Sequence, residues 1–340
     1  MVAERVFIVA RKEFADHLTG RKFLVILAFF LMFALAGMQQ GIDRYNQNLE
    51  SYNEQVQLAE DAAGPAGVMP ERPSVLFILS ALLNSLVVFG GILAIAIGFD
   101  LVSKEKETRT LQMLLSHPVY RDEVINGKAL GGSAALGVAL ALAFAVTLAV
   151  LLLLSIVPTP GEFVSIGVIG IVYFLFLLAV FTLALFLSVV VKESGHAVVY
   201  GLALFLALSY VLPLFGTSLG DAVAGEMPQM PEMPIDGRDA DGVIYISSDP
   251  AALEAYEEEC DRYDQEMETY QAKKRFVTDS VNFFSPVASC CAVTSTVIYP
   301  SDMPPEDAAG RIWGGIAALV VFASVFFALA YGKFMRMDLR

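Results

Sequence analysis

Apolar residues along this chain gather into six runs, 22–41, 75–99, 129–157, 163–191, 197–216 and 312–331, with no Asp, Glu or Arg in the interior of any of them. A hydrocarbon core about 30 Å thick is crossed by roughly twenty helical residues, so each run predicts a transmembrane helix. Ahead of the first run, Ala3, Phe7, Ala10, Phe14 and Leu18 recur at three-and-four spacing, with Arg5, Arg11, Lys12, Glu13 and Asp16 between them. That pattern predicts an amphipathic helix lying in the membrane interface. The pattern as a whole predicts an all-α polytopic membrane protein: an interfacial helix over 1–21, five spans over 22–216, a mostly helical extracytoplasmic insert over 217–311, and a sixth span with its tail over 312–340.

Composition agrees, since 56% of the 340 residues are hydrophobic, which places the chain among membrane proteins. The absence of carboxylates inside the runs speaks against an ion or proton relay at membrane depth. Charge then sets the orientation. With the N-terminus inside, the inner segments hold fourteen of the 22 Lys and Arg residues but only ten of the 36 Asp and Glu residues. Both termini are therefore expected in the cytoplasm, and the exterior is strongly acidic. An acidic balance without basic clusters disfavours nucleic acid as a partner.

Within the runs, Asn84 stands near mid-membrane with Ser80 and Ser85; such groups bond a neighbouring helix or face a cargo. Gly131, Gly132 and Gly137 permit close helix contact. Tyr173, Phe174, Phe176, Phe181 and Phe186 form a bulky stripe directed at lipid or core. In the insert, Met227, Met230 and Met233 alternate with prolines at every third position. Polyproline II geometry puts these thioethers on one edge, suited either to a stiff linker or to Cu(I). Residues 242–247 predict a short strand and 250–276 a charged helix. Residues 282–300 are moderately apolar but too interrupted for a span. All three cysteines, Cys260, Cys290 and Cys291, fall in this insert, where an oxidising exterior permits a disulfide from Cys260 to Cys290 or Cys291.

Catalytic signatures are weak. Gly216-Thr217-Ser218-Leu219-Gly220 fits G-x-S-x-G but follows an apolar helix, where a nucleophile elbow requires a strand and a sharp turn. Gly127-Lys128 is followed by Ala129 where a P-loop has Ser or Thr. No catalytic residue, bound cofactor or ATP site is therefore expected on this chain.

The most distinctive stretch lies between the second and third runs. Over 100–128 it carries Glu105, Lys106, Glu107, Arg109, Thr110, Leu111, Leu114, Leu115, Pro118, Val119, Arg121, Glu123, Ile125, Gly127 and Lys128. This E-K-E-x-R-T-L-x-x-L-L-x-x-P-V-x-R-x-E-x-I-x-G-K pattern resembles the permeases of ABC-2 type transporters. The resemblance implies a six-span subunit that pairs with a second permease and exports a substrate the sequence does not identify. It also implies a separate ABC ATPase, holding ATP and Mg, that docks on 103–128. Glu105, Glu107 and Arg109 would then meet the ATPase, Leu111 and Leu114 would anchor the elbow, and Arg121 and Glu123 would stabilise its second turn, with Lys106, Pro118 and Lys128 in the same element. The resemblance further implies a re-entrant segment at 282–300. An alternative within the wider family is an ATPase-driven assembly module, such as one maturing a copper site through the outer insert.

Overall fold

The computed structural model describes residues 2–61, 73–108, 110, 120–238, 244–247, 249–299 and 305–337. It is helical apart from one short hairpin. The helices are α1 (Val2–Thr19), α2 (Arg21–Asp61), α3 (Leu76–Gly98), α4 (Ser103–Glu107), α5 (Arg121–Leu153), α6 (Pro160–Val190), α7 (Ser194–Leu206), α8 (Leu212–Ala224), α9 (Pro250–Asn282), α10 (Pro286–Ile298) and α11 (Pro305–Met335). Strands β1 (Ile235–Arg238) and β2 (Ile244–Ile246) pair antiparallel, so the expected single strand has found a partner. Among the described residues, six helical runs are long and apolar enough to cross a membrane: α2, α3, α5, α6, the run from α7 through α8, and α11.

Two of these runs outlast their apolar stretches, each for a physical reason. α2 has 41 residues, about 60 Å at 1.5 Å per residue, twice the hydrocarbon thickness. Its apolar first half can cross the membrane, and the Gln- and Asn-rich remainder continues the same helix beyond it. The fifth run continues past Pro213, where the apolar pattern weakens. The turn before that proline widens to a π-helix over Ala207–Val211, and Pro213 sits in the first turn of α8, where a missing N–H is tolerated.

The chain divides into two compact units, Met1–Ser209 with Pro286–Arg340, and Tyr210–Ser285. In the first, α6 is central. Its Tyr173, Phe176 and Phe181 are fully buried, so this stripe belongs to the core, and α6 touches α3, α5, α7, α10 and α11. Lipid tails are as apolar as leucine, so helices in a bilayer associate through close fit rather than expulsion of water. Glycine makes that fit here. A Cβ on Gly91 would fall 2.3 Å from the Phe205 ring, and one on Gly132 would fall 2.5 Å from that of Phe181. Gly37 and Gly41, four residues apart, bring α2 against the backbone of Ala81 and Ile78 on α3. This G-x-x-x-G pair escaped the sequence reading.

At the end of α6 away from Val190, Glu162 ties two connections together. It accepts from the Ser74 hydroxyl (2.6 Å) and the Val75 N–H (2.9 Å) with one oxygen, and from the Thr159 N–H (2.8 Å) with the other. α10 has 13 residues, about 20 Å of helix, too short for a 30 Å core. It packs on α6 and α11, with Gly315 of α11 seated against the Ser289 carbonyl.

In the second unit α8 lies along α9. Gly216 and Gly220 face Val281 and Thr278 at Cβ distances of 3.1 and 2.6 Å. The G-x-S-x-G match is thus a helix-packing surface. Lys274 and Tyr270 both bind Asp221 beside it.

Cys260, Cys290 and Cys291 are free thiols; Cys290 is buried in the packed face of α10, and Cys291, about 100° further round the helix, lies on its exposed side.

Candidate coupling site

Residues 103–128 tie to four other helices, α1, α6, α7 and α11, through the same charged residues that mark the stretch in sequence. Lys128, in the second turn of α5, is 2% exposed and donates to Glu13 of α1 at 3.0 Å and to Glu105 of α4 at 2.7 Å. Removing a lysine from water costs several kcal/mol. Two carboxylates at hydrogen-bonding distance offset that cost and fix α1, α4 and α5 to one another. Close backbone approach makes the reach possible: Gly127 and Gly131 admit Val9 and the Ala10 carbonyl of α1 where a Cβ would collide, at 2.6 and 2.8 Å.

Lys106 reaches the other way. Its ammonium donates to the carbonyls of Ser188 (3.2 Å), Val189 and Val191 (3.1 Å), satisfying the open C-terminal end of α6, where positive charge is also favoured by the helix dipole. The Ser188 hydroxyl accepts from the N–H groups of Val102 and Ser103, both at 3.0 Å, where the chain turns into α4. Glu107 accepts from the Ser194 hydroxyl at 2.9 Å at the start of α7, matching negative charge to a helix N-terminus. Arg121 donates to the carbonyls of Met335 and Met337 at 3.2 and 2.8 Å, capping α11. Glu123 is buried and accepts from the Tyr120 N–H at 3.0 Å, closing the first turn of α5.

Six of the sequence-predicted residues, Glu105, Lys106, Glu107, Arg121, Glu123 and Lys128, are therefore engaged within the chain. Arg109, Leu111, Leu114 and Pro118 lie outside the described residues. Sequence reasoning missed Glu13, Ser188 and Ser194. For Glu13 a signal existed: Ala10, Glu13 and His17 share one face of α1 by their spacing, so a carboxylate and an imidazole stand in a stripe that is otherwise apolar. Met227, Met230 and Met233 are exposed in the segment before β1. Among the described residues, no group of three His, Cys, Asp or Glu side chains is placed to hold a metal.

Beside the lysine lies a polar chamber of about 610 Å³, lined in part by Lys12, Glu13, His17, Asp100, Lys104 and Glu105. Burial lowers the pKa of His17 from the usual 6.5, against the opposing pull of Glu13, Asp100 and Asp16, while Lys128 lowers it further. The unfolded chain then binds more protons than the native one across the interval below pH 6.5, so stability is full above that pH and falls on acidification toward the depressed value. Thermal midpoints measured from pH 7 to 5 should drop for the native chain, and the drop should shrink in His17→Gln. An unchanged profile in that variant would refute the assignment of the slope to His17.

Comparison with curated proteins returns no match. A family model described as ABC-2 family transporter protein matches residues 7–339, nearly the whole chain and every element named above except the first residues of α1. The chain belongs to the ABC-2 family of transporter proteins, as a multi-pass membrane permease that is not itself a catalytic subunit.

Proposed function

We propose that this permease is the membrane half of an ATP-driven exporter of the cell membrane, with both termini in the cytoplasm, and that a separate ABC ATPase docks on residues 103–128. The observation that supports this most is the four-way attachment of that segment. A force applied there would reach α1 through Lys128, α6 through Lys106, α7 through Glu107 and α11 through Arg121. On this reading the charged residues transmit the motion more than they grip the motor, which instead meets residues around 108–120. ATP and Mg belong to the ATPase. A second permease completes the pathway: Asn84 is exposed on α3, inside a run of membrane-spanning hydropathy, and a carboxamide facing lipid is costly without a hydrogen-bonding partner from another helix or a polar passage.

Thr110 is exposed and carries the test. A photo-crosslinking residue at this position, in membranes of cells that express the chain together with a candidate ABC ATPase, should trap an ATPase adduct. The same residue at Gly161, in the first turn of α6 at the end away from Val190, should trap none. Equal adducts at both sites, or labelling of position 110 by an impermeant reagent from outside intact cells, would refute the docking assignment.

A further inference from the structure

An apolar groove of about 640 Å³ opens between α2, α3 and α7, walled by Val25, Ile26, Ile92, Ala96 and Leu202 and bounded at one end by Arg21 and Lys22. Among the described residues no acidic side chain lines it. We infer that this groove binds an anionic phospholipid of the cytoplasmic leaflet, with one acyl chain along the α2–α3 wall and the phosphate on Arg21 and Lys22.

The wall residues belong to helices that span the membrane, so the occupant is a component of the bilayer. Apolar contact alone does not select one, because a lipid tail leaves equally apolar surroundings to enter the groove. Selection comes from the charged end. Arg21 has no ion pair among the described residues, and its planar fork suits a phosphate. Lys22 sits with its ammonium 5.8 Å from the centre of the Phe99 ring, one wall of the groove, and only 3.9 Å from the Asp100 carboxylate, which holds it at the mouth. Both cations stand at the start of α2, the level where headgroups lie for a helix entering the membrane there. The polar chamber also borders Arg21, Lys22, Ile26 and Ala96, so a headgroup extending past its phosphate has polar space to occupy. The negative surface potential of the cytoplasmic leaflet reflects anionic lipids that would supply the ligand.

The leaflet rests on the orientation proposed above; the site itself does not, and the test separates the two. The full chain is reconstituted in symmetric nanodiscs with equal amounts of dioleoyl phosphatidylglycerol and dioleoyl phosphatidylcholine. Lipids retained after extraction are then identified by native mass spectrometry. Phosphatidylglycerol should be retained preferentially. Preference should fall about fivefold for each charge removed in Arg21→Gln with Lys22→Gln, and should persist in the charge-conserving Arg21→Lys with Lys22→Arg. Ala96→Trp, which fills the wall and leaves both cations, should reduce retention of either lipid. A native chain without preference, a double Gln variant that keeps it, or displacement of phosphatidylglycerol by inorganic phosphate would each overturn the proposal. A failure of orientation would leave all these outcomes unchanged and would appear only in impermeant labelling of the termini.

Discussion

Replacing Lys128 by Ala should destabilise the permease by about 3–5 kcal/mol, the range for breaking a buried ion pair and leaving its partners uncompensated. Here two carboxylates are left. Glu13 is 7% exposed and keeps only the more distant Lys12 at 3.7 Å, and the second oxygen of Glu105 is already buried without a hydrogen bond, so water from the adjoining chamber replaces the ammonium incompletely. Their repulsion would then act where α1, α4 and α5 meet. The exposed Lys104 on the same short helix is the control, because surface lysines contribute about 0–1 kcal/mol. Thermal unfolding in detergent, followed through the single Trp313, should show a large drop for Lys128→Ala and almost none for Lys104→Ala. Substituting Glu13→Gln and Glu105→Gln together with Lys128→Met removes all three charges and should recover a substantial part of the loss, since apolar or neutral replacements of whole buried ion clusters are often tolerated. Equal midpoints for the two single variants would show that the cluster is not a clamp.

The spans were legible because each is a local property: twenty apolar residues in a row announce a membrane helix whatever surrounds them. The stretch 103–128 was legible as a family pattern, but the destinations of its side chains were not. Lys106 binds carbonyls more than 80 residues away and Arg121 binds carbonyls more than 210 residues away, and backbone carbonyls carry no mark in a sequence. A dense run of charges reads naturally as a surface offered to a partner. Packing turned several of them inward to helix ends that would otherwise hold unsatisfied groups. The cysteines show the same limit, because falling in one insert of the sequence says nothing of which face of a helix each occupies. The groove between α2, α3 and α7 was invisible for a further reason: its cations lie at the start of the first apolar run and read there simply as flanking charges.

Gly41→Ala should cost about 1–3 kcal/mol, the range for overpacking a closely fitted contact, although it adds a single methyl and improves helix propensity. The new Cβ would lie 2.6 Å from the Ile78 carbonyl oxygen and 2.9 Å from the Ile78 Cα. Both are backbone atoms of α3, so no rotamer change can relieve the clash and the two helices must separate. Gly37→Ala should cost less, because the closest atom there is the Ser85 hydroxyl at 2.6 Å, which can turn aside, leaving the Ser85 Cβ at 2.9 Å and the nearest backbone atom, the Ala81 carbonyl oxygen, at 3.1 Å. Gly167→Ala, where nothing lies within 4 Å of the added methyl, should be neutral or slightly stabilising through helix propensity alone. The order of thermal midpoints should therefore be Gly167→Ala highest, then Gly37→Ala, then Gly41→Ala. The functional consequence follows from the order of the chain. α3 leads directly into α4, and Ser103 and Lys106 hold that junction to α6, so a displaced α3 pulls against the attachment through which the proposed motor acts. Stimulation of the proposed ATPase partner should fall in Gly41→Ala even at temperatures where the protein stays folded. Full stimulation together with a native midpoint would mean that α2 and α3 do not approach as closely as their glycines imply.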